Sequence, residues 1–290
     1  MTTPGFRNGE LPTQTPAPRA APPPGLRAVP RFVRASFAVL VVFAVFAAPS
    51  CLAPPPASAE GARALRLGYV TEGWPPYIIV GGEPEDDRGI VPDLVRKAVA
   101  EAGGEVSFVR YPDRRGVELV REGEIDAWPK AREWVENPED FVWSAPLLLS
   151  EDVLVSRADR PATFRTISDL FGLRLGTVLG YGYPTLDDAF RTGRIERVDL
   201  HDAQTQLEML DRGRVDAVVM ERRIADWALR HTPGLNRDDF RLSTRNVHSV
   251  QYRLMFTGRR DWADFVSRFD AAVARMRASG ELAALFKKYR

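Results

Sequence analysis

From residue 65 onward, apolar positions alternate between a spacing of two, which is typical of strands, and a spacing of three to four, which is typical of helices. Glycines and prolines mark the ends of these segments. The predicted elements are a strand from Leu65, a helix with Pro92 in its first turn, a strand from Val106, a helix over 113–122 and a strand over 125–128. Such β-α-β-α-β units build parallel sheets with right-handed crossovers.

The same order of elements returns in the second half of the chain. The segment 65–70, LRLGYV, recurs at 173–178 as LRLGTV, and the segment 122–127, EGEIDA, recurs at 212–217 as RGRVDA. The two offsets are 108 and 90 residues. Two strand starts that match, each followed by a helix end, a glycine and a strand that also match, predict two similar α/β lobes in tandem.

Two extended stretches predict how these lobes are joined. Residues 149–155 lead from the first lobe into the second, and residues 252–257 form another extended run. After it, apolar residues from Trp262 to Met276 lie on one helical face. If this last helix packs on the first lobe, the chain crosses twice and forms a hinge around a cleft. We therefore expect a first lobe of 60–155 with 253–290 and a second lobe of 156–252, each a β-sheet flanked by helices.

Composition adds mainly exclusions. The 290 residues contain 40 Lys and Arg against 39 Asp and Glu, and this balance argues against a dedicated nucleic-acid binder. Residues 1–59 carry +4 and hold 12 of the 23 prolines and the only cysteine, Cys51, so the remaining 231 residues carry −3. A body without cysteine excludes disulfide scaffolds, cysteine-ligated metals and cysteine nucleophiles. Three histidines also make a histidine-only metal site improbable, so no cofactor is expected.

The N-terminal segment has the pattern of an export signal. Two arginines precede the uninterrupted apolar run 37–48, which is too short to span a membrane. The small-x-small sequence 57–59 predicts cleavage after Ala59. An alternative is a lipoprotein with lipid on Cys51, although the residues before it lack the usual bulky aliphatic side chain, and a third is an uncleaved anchor helix. Residues 1–30 are proline-rich without an apolar period and are predicted to be disordered.

Several short motifs occur in an order that resembles a known family. They are WPPY at 74–77, GIVPDL at 89–94, EGEIDA at 122–127, WSAP at 143–146, ISDL at 167–170 and the C-terminal stretch 280–289. Together they resemble the bacterial extracellular solute-binding proteins of family 3, from about Ala64 to the C-terminus. The resemblance implies a two-lobed periplasmic-binding fold of type II, a periplasmic location, a monomer, and two partners: a small-molecule solute and an inner-membrane ABC permease.

Four loops at the carboxyl ends of strands are candidates for the binding site, and two belong to the first lobe. The resemblance places Trp74 as an aromatic residue that stacks on the ligand; the alternative is a tryptophan packed between prolines at the surface. Lys130 and Arg132 follow the third strand, where two cations suggest an anionic group on the solute. They could equally be solvated side chains.

The other two loops belong to the second lobe. Tyr181 and Gly182 precede Pro184, which fits a first helical position, so this loop is expected to open a helix and to form a nest for a carboxylate. A structural turn with an aromatic plug is the alternative. Glu221 matches the position where the family places an acidic partner for a ligand ammonium, although an acid is also favoured at any helix N-terminus.

One departure from the family weakens the assignment to amino acids. Members that bind α-amino acids have an arginine about a dozen residues after the aspartate equivalent to Asp126, and here that stretch, 136–140, reads ENPED. We therefore expect a non-enzymatic binding protein for a small polar or anionic solute, an amino acid or related organic acid. The alternatives are an enzyme that resembles cyclohexadienyl dehydratase, with Glu221, Lys130 or Tyr181 as acid–base groups, and a sensor or accessory module.

Overall fold

The structure, a computed structural model, describes residues 64–290. The predictions for the N-terminal segment, namely its disorder, its cleavage after Ala59 and the lipidation of Cys51, lie outside these residues. Within 64–290, no helix combines the length and the apolar character needed to cross a membrane.

Strands and helices alternate through the described chain. The strands are β1 Leu65–Val70, β2 Val106–Tyr111, β3 Ala127–Ala131, β4 Phe141–Trp143, β5 Leu148–Arg157, β6 Arg174–Val178, β7 Glu196–Leu200, β8 Ala217–Glu221 and β9 Phe240–Thr257. The helices are α1 Ile90–Glu101, α2 Asp113–Glu122, α3 Asp187–Arg191, α4 Ala203–Asp211, α5 Arg222–His231, α6 Ala263–Ala278 and α7 Glu281–Lys288.

The sheet contains the same strand arrangement twice. Its order is β2-β1-β3-β9-β5-β8-β6-β7, with β4 beside β9. In the first lobe β1 pairs in parallel with β2 and β3, and in the second lobe β6 pairs in parallel with β7 and β8. The internal repeat is confirmed in register, because Leu67 pairs with Ala127 and Leu175 pairs with Ala217. Leu175 follows Leu67 by 108 residues and Ala217 follows Ala127 by 90 residues, which are the two offsets of the sequence repeat.

The repeated aspartate has the same structural task in both lobes. Asp126 accepts a hydrogen bond at 2.8 Å from the backbone N–H of Arg66, and Asp216 accepts one at 2.8 Å from that of Arg174. Each carboxylate thus fixes the start of the central strand against the turn before the next strand. The aspartate in both copies of the motif is a structural residue, not a ligand contact.

Separate cores support the two lobes. In the first lobe one cluster packs α1, α6 and α7 on the sheet, and a second packs α2 on the other face around Trp128. In the second lobe one cluster lies beneath α4 and α5 and the other beneath α3. Phe269 of the last long helix is fully buried in the first-lobe core, so the chain does cross between the lobes twice, as predicted.

Three element boundaries differ from the prediction. Strand β3 begins at Ala127 instead of 125 and continues through Pro129, which a strand tolerates here because the pairing with β1 ends at Ala127. Strand β9 has 18 residues, of which the predicted run is only the end; its first part is polar and was not recognised. The helix expected at Pro184 begins at Asp187, because a hydrogen-bonded turn on the carbonyl of Tyr183 comes first.

Candidate functional site

The four predicted loops all follow strands of the two parallel units. Trp74 lies after β1, Lys130 and Arg132 lie at the end of β3, Tyr181 and Gly182 lie after β6, and Glu221 is the last residue of β8. Strands β9 and β5 lie between the two units. The carboxyl ends of the parallel strands therefore surround a region whose floor is made by β5 and β9, and this region is called the cleft below.

Aromatic rings line the first-lobe side of the cleft. Trp74 stacks on Tyr77 with ring centroids 4.4 Å apart, and its centroid is 4.9 Å from that of Tyr252 on β9. Trp134 meets Tyr252 edge-on at 5.5 Å and is 40% exposed. Trp74 is half-buried, so one part of its indole is available to a ligand. The sequence predicted only Trp74 as a ligand contact, and Trp134 and Tyr252 were missed. Tyr77 is fully buried, so it supports Trp74 and is not itself open to a ligand.

A buried network holds the loop that carries Trp74. Asp87 is fully buried and accepts hydrogen bonds from Tyr69 Oη at 2.6 Å, from Gly81 N at 2.6 Å and from Arg110 Nη2 at 2.5 Å. Burial alone would raise the pKa of Asp87, but the Arg110 guanidinium and the other donors lower it below its usual value. The Asp87 carboxylate therefore stays charged and ties the loop to β1 and β2.

Lys130 is paired inside the protein. Its Nζ lies 2.5 Å from Oδ2 of Asp113, the first residue of α2, and its side chain is only 14% exposed. Asp113 also accepts a hydrogen bond from Trp128 Nε1 at 3.2 Å through its other oxygen. The positive charge of Lys130 is thus matched by a carboxylate before any ligand binds. An anionic solute would have to compete with Asp113 for it.

Arg132 and the segment 136–140, which stands where the family has an arginine, differ in their contacts. The side chain of Arg132 is exposed and makes no hydrogen bond or ion pair with any residue in 64–290. The segment 136–140 is a tight turn, which Arg121 fastens through the carbonyl of Glu136 and the carboxylate of Asp140. This turn presents carboxylates, and Arg132 is the cation at the rim that remains unpaired in the described part of the chain.

Tyr181 and Gly182 form an exposed turn on the second-lobe side. Tyr181 is 56% exposed. Protein atoms nevertheless surround its ring, and the resulting loss of hydration is the largest cause that raises the pKa of Tyr181. The negative charges of Asp113, Asp152 and Glu72 raise this pKa further. Asp113 and Glu72 belong to the first lobe, so Tyr181 faces across the cleft. A methyl group added at Gly182 would meet no atom within 4 Å.

Glu221 caps helix α5 with one oxygen and leaves the other without a hydrogen bond. Its Oε2 accepts from the backbone N–H of Arg223 at 2.8 Å and of Ile224 at 2.9 Å. The buried Oε1 has no hydrogen-bond partner of good geometry and lies 3.7 Å from Arg223 Nη1. Burial raises the pKa of Glu221, although the helix N–H groups, Arg223 and the nearby Tyr77 hydroxyl oppose that rise. The contacts of Glu221 therefore fit both interpretations: an acid that caps a helix N-terminus and an acidic partner for a group on the ligand.

Asp152 on β5 is a cleft residue that sequence analysis missed. It pairs in the ladder with Glu221 on one side and with His248 on the other. Burial raises the pKa of Asp152 to about 6. A single aspartate in an extended run carries no motif, and its neighbours come from strands 69 and 96 residues further along the chain. No sequence signal could therefore have identified it.

Comparison with known proteins agrees with this architecture. A family model described as "Bacterial extracellular solute-binding proteins, family 3" matches residues 65–290. A comparison with curated proteins finds no match.

Among solved structures, the GluR0 ligand-binding core in complex with L-glutamate has 19% identity and a TM-score of 0.63, covering 79% of this chain and 99% of that chain. Substrate-binding domain 2 of Lactococcus lactis GlnP in an open conformation has 17% identity and a TM-score of 0.60, covering 78% and 94%. The Streptococcus pneumoniae amino-acid transporter protein AbpA bound to L-arginine has 19% identity and a TM-score of 0.60, covering 79% and 94%. At these identities the likeness establishes the fold.

Proposed function

Because the chain belongs to the bacterial extracellular solute-binding proteins of family 3, we propose that it captures a small polar solute in the cleft and delivers it to an ABC importer. The observation that carries the proposal is the placement of the loops. Four loops from two lobes converge at the carboxyl ends of parallel strands, and aromatic and ionisable side chains line the space between them. Solute sites in open α/β sheets lie at such strand ends.

The two strands that cross between the lobes provide the hinge. Leu147 and Leu148 pack in the first-lobe core, whereas Val153 and Val155 pack in the second-lobe core. The ladder between β5 and β9 is irregular on both sides of Val153. We place the bending region near 149–152 of β5 and the paired part of β9, close to the lobe boundaries expected from the sequence. Closure of such a hinge would bring the two sides of the cleft onto the solute.

Within this proposal each predicted residue has a role that its contacts support. Trp74 stacks on the apolar part of the solute, and Tyr181 and Gly182 close over it from the second lobe. Glu221 offers its unpartnered Oε1 to a donor on the solute. Arg132 remains at the rim for an acidic group. Lys130 acts through Asp113, its ion-pair partner, which it holds in position.

The remaining parts of the proposal follow from the family. We propose export to the periplasm, a monomeric protein, an inner-membrane permease as the partner that receives the solute, and no catalytic activity. Trp74 and Tyr252 form a stacking surface, and general acid–base catalysis would require a positioned pair of groups within hydrogen-bond reach of a substrate. The interactions assigned to the solute here require only binding.

Thermal unfolding of residues 60–290 with candidate solutes tests this proposal. Amino acids, organic acids, polyamines and sugars would be compared. A solute at about 100 times its Kd should stabilise the folded state by about 2.7 kcal/mol, which corresponds to roughly 5–10 °C in Tm. Absence of a shift with every solute would contradict the proposed function.

Variants at two tryptophans then test the location of the site. Trp74→Ala should reduce the affinity for the solute at least about 10-fold, because the stacking surface is lost. Trp227→Ala is the control, since Trp227 stacks on His231 along α5, away from the aromatic cluster. Equal affinity in both variants would place the solute elsewhere.

A further inference from the structure

Asp152 occupies the centre of the cleft floor. Its strand lies between β8 and β9, and the registered neighbours of Asp152 are Glu221 and His248. The residue is half-buried, and its carboxylate makes no hydrogen bond or ion pair with any residue in 64–290. Half-buried carboxylates in folded proteins are normally matched by donors or cations, because removal from water destabilises the charged form. Asp152 therefore lacks a partner that its position calls for.

Besides Glu221 and His248, three tyrosines lie in the neighbourhood of Asp152. Burial is the largest cause that raises the pKa of Tyr181, Tyr183 and Tyr252, and the negative charge of Asp152 raises the pKa of all three further. These tyrosines come from the loop after β6 and from β9. These three side chains thus lie within electrostatic range of the carboxylate, and Tyr181 is the exposed one among them. A carboxylate beside aromatic faces is a favourable environment for an organic cation, which gains both charge pairing and cation–π attraction.

The charges elsewhere in the cleft do not neutralise Asp152. Lys130 is paired with Asp113, and Arg223 lies against Glu221. Arg132 is exposed at the rim and contacts none of these acids. Lys130 thus matches Asp113 and Arg223 matches Glu221, which leaves the negative charge of Asp152 without a matching cation among these groups.

We propose that Asp152 binds the cationic group of the solute, an ammonium or a guanidinium, in the part of the cleft that Tyr181 and Tyr252 also line. This inference rests on the proposed function and adds a selection rule to it. The cleft takes organic cations, whether or not they also carry a carboxylate, in preference to carboxylates that lack a cationic group. Asp152 is then a specificity-determining residue, and Glu221 contributes a second acceptor on the neighbouring strand.

Probes that differ in one charged group test the rule. L-arginine carries a guanidinium and a zwitterionic end, agmatine and putrescine carry cations without a carboxylate, and succinate and glutarate carry carboxylates without a cation. We expect calorimetric titration of the protein to give binding with at least one cationic probe and none with the two dicarboxylates. Binding of a dicarboxylate at equal or higher affinity than every cationic probe would overturn the inference.

Variants of adjacent residues test the role of Asp152 itself. Asp152→Asn keeps the shape of the side chain and should weaken cation binding at least about 10-fold, since the charge pairing is lost. Glu151→Gln is the matched control: Glu151 is the preceding residue of the same strand and accepts a hydrogen bond from Asn246 Nδ2 at 2.5 Å. It should leave the affinity within about twofold.

The outcomes separate this inference from the proposed function. If a solute binds and Asp152→Asn binds it as tightly as the parent protein, the inference is wrong while the proposed function stands. If no probe and no solute of the wider thermal screen binds, the proposed function fails and the inference fails with it. Loss of binding in Asp152→Asn alone, with an unfolding temperature at least as high as that of the parent, supports both.

Discussion

The aspartates of the first lobe and the hinge differ in what surrounds their carboxylates. Asp87 is matched by three donors, Asp126 by a backbone N–H and Arg260, and Asp113 by Lys130 and an indole N–H. Each of these carboxylates has its partners within the protein and supports a strand or a loop. Asp152 has none within the described residues, so its partner must be solvent or a ligand.

The raised pKa of Asp152 predicts a pH-dependent penalty on stability. The pKa is about 6 in the folded chain and 3.8 ordinarily, so between about pH 4 and 6 the folded state holds a proton that the unfolded state has lost. The free energy of unfolding therefore falls as the pH rises through this window, and the penalty is complete above it. Asp152→Asn should be more stable than the parent by ~3 kcal/mol at about pH 8, and equally stable at or below about pH 4.

Urea unfolding of both proteins across this pH range measures the difference. Glu221 on β8, His248 on β9 and the facing tyrosines, Tyr181, Tyr183 and Tyr252, are present in both proteins, so their own titrations largely cancel. A constant difference between the two stability curves would mean that Asp152 does not titrate in this window. A variant that is more stable but no longer binds cations is the behaviour expected of a residue kept for function.

The sequence indicated some residues of the proposed site and not others, for a physical reason. Trp74 and Glu221 lie in motifs or at a strand end whose position along the chain already indicates the cleft. Asp152 and Tyr252 lie inside long strands, and only the pairing of β5 with β9 brings them to the same part of the sheet. Nothing local distinguishes them from other polar or aromatic residues in an extended run. The pairing of Lys130 with Asp113 is equally non-local and was not predicted.

At the scale of elements, helix α2 packs unusually closely on the sheet. A Cβ added at Gly116 would lie 2.2 Å from the ring of Trp128, which is fully buried in the first-lobe core. Alanine would favour the helix by about 1 kcal/mol through its propensity, but a clash with a packed indole costs more. Gly116→Ala should therefore destabilise the protein by about 1–3 kcal/mol net, measured by urea unfolding.

A second glycine provides the control for this prediction. Gly182 has no atom within 4 Å of an added Cβ, so Gly182→Ala should change the free energy of unfolding by less than about 0.5 kcal/mol. Gly116→Ala should also weaken solute binding, because Trp128 donates to Asp113 and so supports the Asp113–Lys130 pair. A stability increase in Gly116→Ala would show that helix propensity dominates over packing at this contact.

Element boundaries were predictable where periodicity and end signals coincide. Helix α2 begins and ends where the sequence indicated, with Gly123 in a left-handed conformation at its end. The first part of β9 was missed because its residues are polar and alternate too weakly to mark a buried face. The start of α3 was misplaced because the hydroxyl of Tyr183 accepts a hydrogen bond from Val178 N and favours a turn in place of a helix.

At the scale of the whole molecule, Arg223 links the two lobes. It belongs to α5 of the second lobe, and its Nη1 donates to the Tyr77 hydroxyl at 3.3 Å and to the Leu149 carbonyl at 3.1 Å. Its guanidinium also lies over the ring of Phe286, 4.7 Å from the centroid, on α7 of the first lobe. One side chain thus contacts the first lobe at two places and the hinge strand at a third.

The two-lobed plan could be predicted because each half of the chain carries its own copy of the repeated motifs. The relative placement of the lobes could not, because it depends on contacts such as those of Arg223, between residues far apart in sequence. The half-buried side chain of Arg223 and its three partners are visible only in the structure.

Removal of Arg223 should therefore loosen the arrangement of the lobes. Arg223→Ala loses two hydrogen bonds and a cation–π contact, together worth about 1–2 kcal/mol, so the population of this arrangement relative to more open ones should fall roughly 10-fold. The body of the chain contains no cysteine, so a label pair can be attached at Arg114→Cys on α2 and Arg191→Cys on α3, whose native side chains are 95% and 75% exposed.

The distance between these labels, measured by fluorescence or spin-label methods, should increase in Arg223→Ala without solute. Arg222→Ala is the matched control, because Arg222 contacts Ser243 and Asn246 of β9 and Glu151 of β5 and has no hydrogen bond, ion pair or cation–π contact with α7. Because the proposed solute contacts both sides of the cleft, saturating solute should restore the short distance in Arg223→Ala. An unchanged distance distribution in Arg223→Ala would mean that the hinge strands alone fix the lobes.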